Sequence, residues 1–95
     1  MNRRPQAIPE QQLSNERVIV TRWIFPPGAE TGWHIHGHDY VVVPQTDGTL
    51  LLETKQGNRE SSLQAGQSYA GAKGVEHNVV NPTENEIVFI EVEIR

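Results

Sequence analysis

Cysteine is absent from this chain of 95 residues. Its absence excludes disulfide bonds, thiolate nucleophiles and zinc sites built on cysteine. Long apolar runs are absent as well, and none approaches the ~20 residues that a membrane-spanning helix needs. Arg3 and Arg4, near the start, are not followed by the apolar segment of a secretory signal. We therefore expect a cytoplasmic protein that has no membrane partner.

Basic residues are scarce, with 8 lysines and arginines against 12 aspartates and glutamates and a formal net charge of -4. No basic stripe occurs that would attract a phosphate backbone, so nucleic acid is not an expected partner. Helical patterning is missing too, because no stretch of ~11 residues combines apolar spacing at i, i+3, i+4 and i+7 with caps. Helices should therefore be absent or limited to single turns.

Short segments rich in β-branched and aromatic residues dominate the chain instead. Residues 16–25, which read ERVIVTRWIF, are typical of a strand, and Pro26-Pro27-Gly28 ends it because proline lacks a hydrogen-bond donor. Further strands are predicted, in chain order, at residues 40–43, 49–53, 61–63, 67–70, 77–80 and 86–94. Short strands with turn signals every ~8–12 residues indicate an all-β sandwich or barrel.

Two turn signals predict how neighbouring strands connect. Asp47-Gly48 predicts a hairpin whose turn needs left-handed backbone geometry, and Gln56-Gly57-Asn58 predicts another reversal. The first fifteen residues contain two prolines and a polar stretch, and we interpret them as a surface arm or as the first edge of the sheet. We therefore divide the chain into an N-terminal arm, residues 1–15, and a β-barrel domain, residues 16–95.

The histidines carry the candidate chemistry. Only 4 occur, and His34, His36 and His38 stand at alternate positions. Alternate side chains of a strand share a face, so His34 and His36 should point to the same side. His77 lies close to the start of another predicted strand, and antiparallel pairing could bring it to the same centre. Because imidazole is a common ligand of first-row metals, three such ligands with an open position indicate a reactive metal site.

Two motifs resemble those of the cupin family, whose general forms are G-x5-H-x-H-x3-4-E-x6-G and G-x5-P-x-G-x2-H-x3-N. The chain matches the first motif at Gly28, His34, His36 and Gly48, and it matches the second at Gly66, Gly74, His77 and Asn81. The resemblance covers residues 18–94 and implies a single-domain double-stranded β-helix, or jelly-roll, barrel. It also implies a homodimer, and one divalent transition metal (iron, zinc, manganese or nickel) held by His34, His36 and His77. Residues 28–34 and 39–44 are further similar to small cupins of β-alanine degradation.

The chain departs from the cupin pattern at the family's glutamate ligand. That glutamate should fall at position 40 or 41, where the chain has Tyr40 and Val41, and neither offers a carboxylate. Asp39 should face away from His36 by strand parity, unless a bulge turns it inward. We therefore favour a three-histidine site. Ala72 stands where the family has a proline. This replacement should change only the stiffness of a turn.

Each candidate residue has a structural interpretation beside the functional one. The three histidines could be hydrogen-bonded polar groups inside a metal-free barrel. We interpret His38 as an outer-shell or pocket residue rather than a ligand. Tyr40 could present its hydroxyl to the metal as a catalytic group, or it could fill the core. Trp33 is interpreted as a packing residue that could also form a wall of the pocket.

The charge of the site sets the chemistry that the resemblance implies. With a third neutral imidazole in place of the carboxylate, a bound divalent ion and its ligands have a net charge of about +2. This charge favours a small anionic or chelating substrate. Three-histidine iron cupins that cleave thiols or β-diketones with oxygen are the family precedent, so an oxygenase-like enzyme is the leading hypothesis. With zinc, the same ligands could activate water for hydrolase or lyase chemistry. A non-catalytic small-molecule-binding cupin is the third alternative, because the nearest acid, Glu76, should point outward.

Overall fold

The computed structural model describes residues 3–95. Nine strands and no helix are found in this range, which confirms the predicted all-β class. The strands are β1 (Ile8–Ser14), β2 (Val18–Phe25), β3 (His34–Ile35), β4 (Asp39–Pro44), β5 (Gly48–Thr54), β6 (Gly57–Leu63), β7 (Tyr69–Gly71), β8 (Glu76–Val80) and β9 (Ile87–Ile94). Within residues 3–95, no helix has the length and apolar character needed to cross a membrane.

The strands form two antiparallel sheets that face each other. One sheet has the order β1-β2-β9-β4-β7 and the other the order β3-β8-β5-β6. Strands that follow one another in the chain often lie in different sheets, as in a jelly roll. This arrangement confirms the predicted double-stranded β-helix.

The core fills the space between the two sheets. It contains side chains at alternate positions of β2, β4, β5 and β9, because alternate residues of a strand point to one face. Its largest fully buried apolar side chains are Phe25, Leu50 and Ile87. Phe25 packs against Phe89 with ring centroids 5.4 Å apart. Burying a side chain of this size contributes about 1.5–3 kcal/mol to stability.

The hairpin predicted at Asp47-Gly48 is wrong. β4 and β5 flank this dipeptide, but they belong to different sheets and do not pair. Gly48 is also not among the glycines with positive φ. It is needed for close packing, because a Cβ atom there would lie 2.8 Å from Cδ1 of Ile87. Asp47 stabilises the segment that crosses from one sheet to the other, since its Oδ1 accepts the N–H of Ala65 at 2.9 Å.

The reversal predicted at Gln56-Gly57-Asn58 is confirmed. β5 and β6 pair in antiparallel register, with Thr54 opposite Gly57. Gly57 has a φ of 109°, a value that L-residues with a side chain rarely adopt.

The N-terminal segment forms an edge of the larger sheet. β1 pairs with β2 in antiparallel register, and all of its residues are exposed. The β2 strand begins two residues later than the predicted residue 16, because Asn15 forms a tight turn. Its Oδ1 accepts the N–H groups of Arg17 and Val18 at 2.8 and 3.0 Å.

Asn81, the last residue of the second cupin motif, joins three parts of the chain. Its side chain is fully buried. Its amide donates to the carbonyl of Phe25 at 3.0 Å and to that of Asn85 at 2.8 Å. Its Oδ1 accepts the N–H of Thr83 at 3.0 Å. Asn81 therefore ties the end of β2 to the connection between β8 and β9, just after the strand that carries His77.

Candidate metal centre

Two neighbouring strands carry the three candidate histidines. β3 pairs with β8 in antiparallel register, with His34 opposite His77. Residues opposite each other in a ladder share a face, so these two rings lie on the same side of the sheet. The pairing continues past β3, because the N–H of His36 donates to the carbonyl of Val75 at 2.8 Å. His36 is the alternate residue after His34, and its ring therefore joins the other two.

The three imidazoles converge through their Nε2 atoms. Nε2 of His36 lies 3.2 Å from that of His34 and 3.0 Å from that of His77. The candidate ligand atoms of all three residues lie within 4.8 Å of one another. The structure thus brings together the three histidines that the motifs single out.

Burial favours the neutral form of His36 and His77, and a hydrogen bond orients the ring of His34. Nδ1 of His34 donates to the carbonyl of Gly32 at 2.8 Å, which leaves Nε2 of the neutral ring unprotonated. Burial, together with the nearby His34 and His77, lowers the pKa of His36 to about 4. Burial also lowers the pKa of His77 to about 4, with His34 and Arg59 as additional causes. Neutral imidazole is the form that binds a metal ion.

The two Nε2–Nε2 distances that involve His36 fit a shared metal ion. Two nitrogens bound to one ion at ~2.0–2.1 Å stand about 2.9–3.4 Å apart for bond angles between octahedral and tetrahedral values. The separations of 3.0 and 3.2 Å fall in this range. His34, His36 and His77 would therefore hold a divalent transition metal through nitrogen alone, without the carboxylate that the cupin motif usually supplies.

The three rings line a cavity between the two sheets. Its volume is about 780 Å³, within the usual range for small-molecule sites. Much of its wall is apolar and comes from Trp23, Val42, Leu50, Leu52, Val79 and Phe89. In the described part of the chain, Arg59 is the one lysine or arginine that lines it. The cavity therefore combines a nitrogen-rich end, an apolar wall and a single cationic side chain.

Tyr40 stands where the cupin motif has its glutamate, and it packs on a histidine of the cluster. Its ring stacks on that of His36, with centroids 4.0 Å apart and an angle of 20° between the planes. The side chain is buried and lines the cavity. Burial raises the pKa of Tyr40 to about 12, so the hydroxyl keeps its proton at neutral pH. A Cβ atom at Gly71 would overlap the ring of Tyr40, so the missing side chain at Gly71 makes room for that ring.

Glu91 is a cavity residue that the sequence analysis does not identify. It is only 9% exposed, and its Oε2 lies 4.0 Å from Nδ1 of His36. Nε1 of Trp23 donates to its Oε1 at 3.3 Å. Burial, together with the nearby Glu93, raises the pKa of Glu91 to about 7 against the opposing effect of the Trp23 hydrogen bond. A carboxylate is thus present near the rings, but it lies behind His36 and outside the histidine cluster.

The structure places His38 apart from the histidine cluster. Its Nδ1 lies 3.3 Å from Oε2 of Glu93, a residue that lines the cavity. His38 does not belong to the group of three whose ligand atoms converge. Asp39 also points away from this group, because its Oδ1 accepts the N–H of Lys73 at 2.8 Å. The position of Asp39 agrees with strand parity, whereas His38 departs from the alternation of His34 and His36.

Trp33 does not form a wall of the cavity. Its side chain is 49% exposed, and its Nε1 donates to Oε2 of Glu76 at 2.6 Å. Glu76 also pairs with Nζ of Lys55 at 3.1 Å. Trp33 is the neighbour of His34 in the chain, so its side chain points to the opposite face. Glu76 lies on that outer face as predicted.

Comparisons with known proteins agree with this geometry. Residues 21–93 match the family Cupin_2, described as cupin domain. The chain is 62% identical over 95 residues to the beta-alanine degradation protein BauB of Pseudomonas aeruginosa, and the match covers 100% of both chains. A crystal structure of a cupin domain protein from Bordetella pertussis Tohama I superposes with a TM-score of 0.98 and 59% identity. That superposition covers 100% of this chain and 99% of the other.

More distant structures share the fold alone. The protein TT1209 from Thermus thermophilus superposes with a TM-score of 0.73 and 20% identity, covering 95% of this chain and 85% of that one. The two histidine motifs, the jelly-roll topology and the family match over residues 21–93 all lead to one assignment. The chain belongs to the cupin family.

Proposed function

We propose that this cupin is a metal-dependent enzyme that acts on a small anionic or chelating molecule in an oxygenase-like reaction. The observation that carries the proposal is the convergence of three Nε2 atoms, 3.0 and 3.2 Å apart, at the wall of a cavity large enough for a small molecule. A divalent transition metal bound there would supply a Lewis acid and, in the case of iron, a centre that activates oxygen.

The protein's own residues hold the rings in place. The carbonyl of Gly32 orients His34 through Nδ1, and the ring of Tyr40 packs flat against His36. Glu91 faces Nδ1 of His36 at 4.0 Å, beyond hydrogen-bond distance, on the side of the ring away from the cluster. The apolar wall excludes water from the bound molecule and strengthens charge interactions inside the cavity.

We also propose a role in the degradation of β-alanine. The support is the relative from Pseudomonas aeruginosa, whose name states that role and which is 62% identical along the entire chain. β-Alanine is small, and its carboxylate is the kind of anionic group that a divalent three-histidine site favours.

Metal analysis combined with oxygen uptake tests the proposed function. The full chain is purified with and without added iron, zinc, manganese or nickel, and its metal content is measured. Oxygen consumption is then followed with β-alanine and with a panel of short acids, thiols and β-diketones. Stoichiometric iron with substrate-dependent oxygen uptake supports the proposal. Zinc without oxygen uptake favours a hydrolase or lyase instead. If the protein retains no metal even after supplementation, the result favours a non-catalytic binding module.

We further propose that the chain forms a homodimer through the outer face of its larger sheet. Leu13, Val20, Val92 and Val41 lie in one row across four strands, because each is the register partner of the next. These residues alternate with inward-facing residues of the core, so the row points outward. A continuous apolar row on the outside of a sheet is typical of a surface that a partner covers. A second copy suits it, because most soluble oligomers are symmetric assemblies of identical chains.

A further inference from the structure

We propose that Arg59 binds the carboxylate of the substrate, so that the site takes short carboxylic acids with a metal-binding group at their other end. This inference rests on the proposed function, since the other end of the molecule meets the three histidines. It adds the chemical class of the substrate, its orientation in the cavity and the residue that recognises it.

The sheet register places Arg59 across the cavity wall from the histidines. Arg59 on β6 is opposite Leu52 on β5, which in turn is opposite Val79 on β8. All three residues line the cavity. Val79 is two positions after His77 in the same strand, so both side chains point to the same face. The backbone of Arg59 therefore lies two strand spacings, about 10 Å, from the strand that carries His77.

Arg59 is an exposed residue that lines the cavity, and its guanidinium has no partner among the described residues. Among residues 3–95 it forms neither a hydrogen bond nor an ion pair, whereas Arg4 pairs with Glu30 and Glu53. Arg22 likewise pairs with Glu10. An arginine that lines a cavity without an acidic partner leaves all of its donors available to a ligand.

Two of the three acids that line the cavity are engaged by other groups, and the third, Glu60, follows Arg59 in β6 and forms no ion pair with it in the described part of the chain. Glu91 accepts the indole N–H of Trp23, and Glu93 faces Nδ1 of His38. Neither carboxylate forms an ion pair with Arg59 in the described part of the chain. The cationic end of the cavity is therefore open to an anion from outside.

The shape and charge of the cavity favour a monocarboxylate. The guanidinium is a planar fork that matches the two oxygens of a carboxylate. The wall between Arg59 and the histidines contains the side chains of Leu50, Leu52 and Val79, which suit a short aliphatic chain. A phosphate dianion fits less well, because the described residues offer it a single cation while Glu60, Glu91 and Glu93 line the same cavity.

The test compares a carboxylate with its neutral amide. The full chain is loaded with cobalt, and the affinities for β-alanine and for β-alanine amide are measured by calorimetry. We expect the wild type to prefer the carboxylate by about 10- to 100-fold, the usual size of a charge-assisted hydrogen-bonding interaction. Arg59→Gln should abolish this preference, and Arg59→Lys should keep a part of it because the charge remains.

Two controls separate the loss of recognition from general damage. Arg17→Gln removes the same charge from an exposed turn outside the cavity, and it should leave the preference unchanged. The cobalt content of Arg59→Gln should equal that of the wild type. An unchanged preference for the carboxylate in Arg59→Gln would overturn the proposal.

A second measurement works without any metal. In the metal-free protein labelled with ¹⁵N, addition of propionate should shift the Nε–Hε signal of Arg59 and leave that of Arg17 in place. A shift in a protein that binds no cobalt would support the carboxylate subsite while refuting the metal-dependent function. The absence of a shift at Arg59 would contradict the subsite, even if the protein binds cobalt.

Discussion

At the scale of single residues, the candidate site depends on the direction of each imidazole. His34 and His77 are register partners, and His36 follows His34 on the same face. His38 would continue the alternation, yet its Nδ1 faces Glu93 at 3.3 Å instead. The difference between His38 and the other three is therefore a difference of direction rather than of residue type.

Histidine variants test this division directly. We expect His34→Ala and His77→Ala each to abolish metal retention, because each removes one of three ligands. His38→Ala should retain most of the metal, since loss of an outer-shell group weakens metal binding by only ~10–100-fold. Metal content after gel filtration, measured by mass spectrometry, checks the prediction. Equal loss in the His38 variant would show that this residue is a ligand.

Glu91 predicts how the stability of the metal-free protein changes with pH. Its pKa is raised from 4.5 to about 7 by burial, so its stabilising contribution is complete below pH 4.5 and is lost as the pH rises through 7. Glu91→Gln cannot ionise. Relative to the wild type, this variant should therefore gain up to about 3 kcal/mol of unfolding free energy between pH 4 and pH 8.

Urea unfolding of the metal-free proteins at several pH values checks this prediction. Glu16→Gln, at an exposed position outside the cavity, is the matched control for the change in net charge. A difference between Glu91→Gln and the wild type that stays constant with pH would contradict the account.

Most of the histidine cluster could be predicted from the sequence, because strand parity and motif spacing depend on local geometry. His34 and His36 share a face for this reason, and the motif match adds His77. Glu91 could have been found by the same rule, since it alternates in β9 with the buried residues Ile87 and Phe89. Its approach to His36 depends instead on how two sheets face each other, which no local pattern encodes.

At the scale of elements, local turn signals predict a reversal better than they predict pairing. Gln56-Gly57-Asn58 joins two strands that pair, and Gly57 takes the positive φ that such a turn needs. Asp47-Gly48 looks similar in sequence, but the chain there crosses from one sheet to the other. The glycine serves packing against Ile87, which lies far away in the chain. Only tertiary structure distinguishes the two cases.

Asn81 provides a test of how the elements are joined. Asn81→Ala removes a buried amide that bonds to the carbonyls of Phe25 and Asn85 and accepts the N–H of Thr83. Because these backbone groups lose their partners, we expect the free energy of unfolding to fall by about 2–4 kcal/mol. Urea unfolding measures the loss. Asn58→Ala, at an exposed position of β6, is the control, and a loss within ~0.5 kcal/mol of that control would contradict the assigned role.

At the scale of the whole molecule, the larger sheet is apolar on both faces. Its inner face packs against the core, and its outer face carries the apolar row that contains Leu13 and Val92. The side chains of Leu13 and Ile94 are 46% and 47% exposed, and register with β2 puts both on the outer face. The proposed dimer would cover this surface. The cytoplasmic location expected from the sequence stays a prediction.

Charge placed on this face should separate the two copies. We expect the wild type to have the mass of a dimer in light scattering after gel filtration. Leu13→Lys combined with Ile94→Lys should have the mass of a monomer, because burying two lysines from each copy is costly. Both positions are exposed in the single chain, so folding should be unaffected. Ser62→Lys, on an exposed position of the other sheet, should remain a dimer. A monomeric wild type, or a dimeric double variant, would contradict the proposed interface.

We propose that one metal ion lies among the Nε2 atoms of His34, His36 and His77. An anomalous difference map from crystals of the metal-loaded protein tests it most directly. We expect one strong peak inside the cavity, at ~2.0–2.3 Å from all three Nε2 atoms. The absence of a peak at this point, or a peak bound through His38 instead, would contradict it.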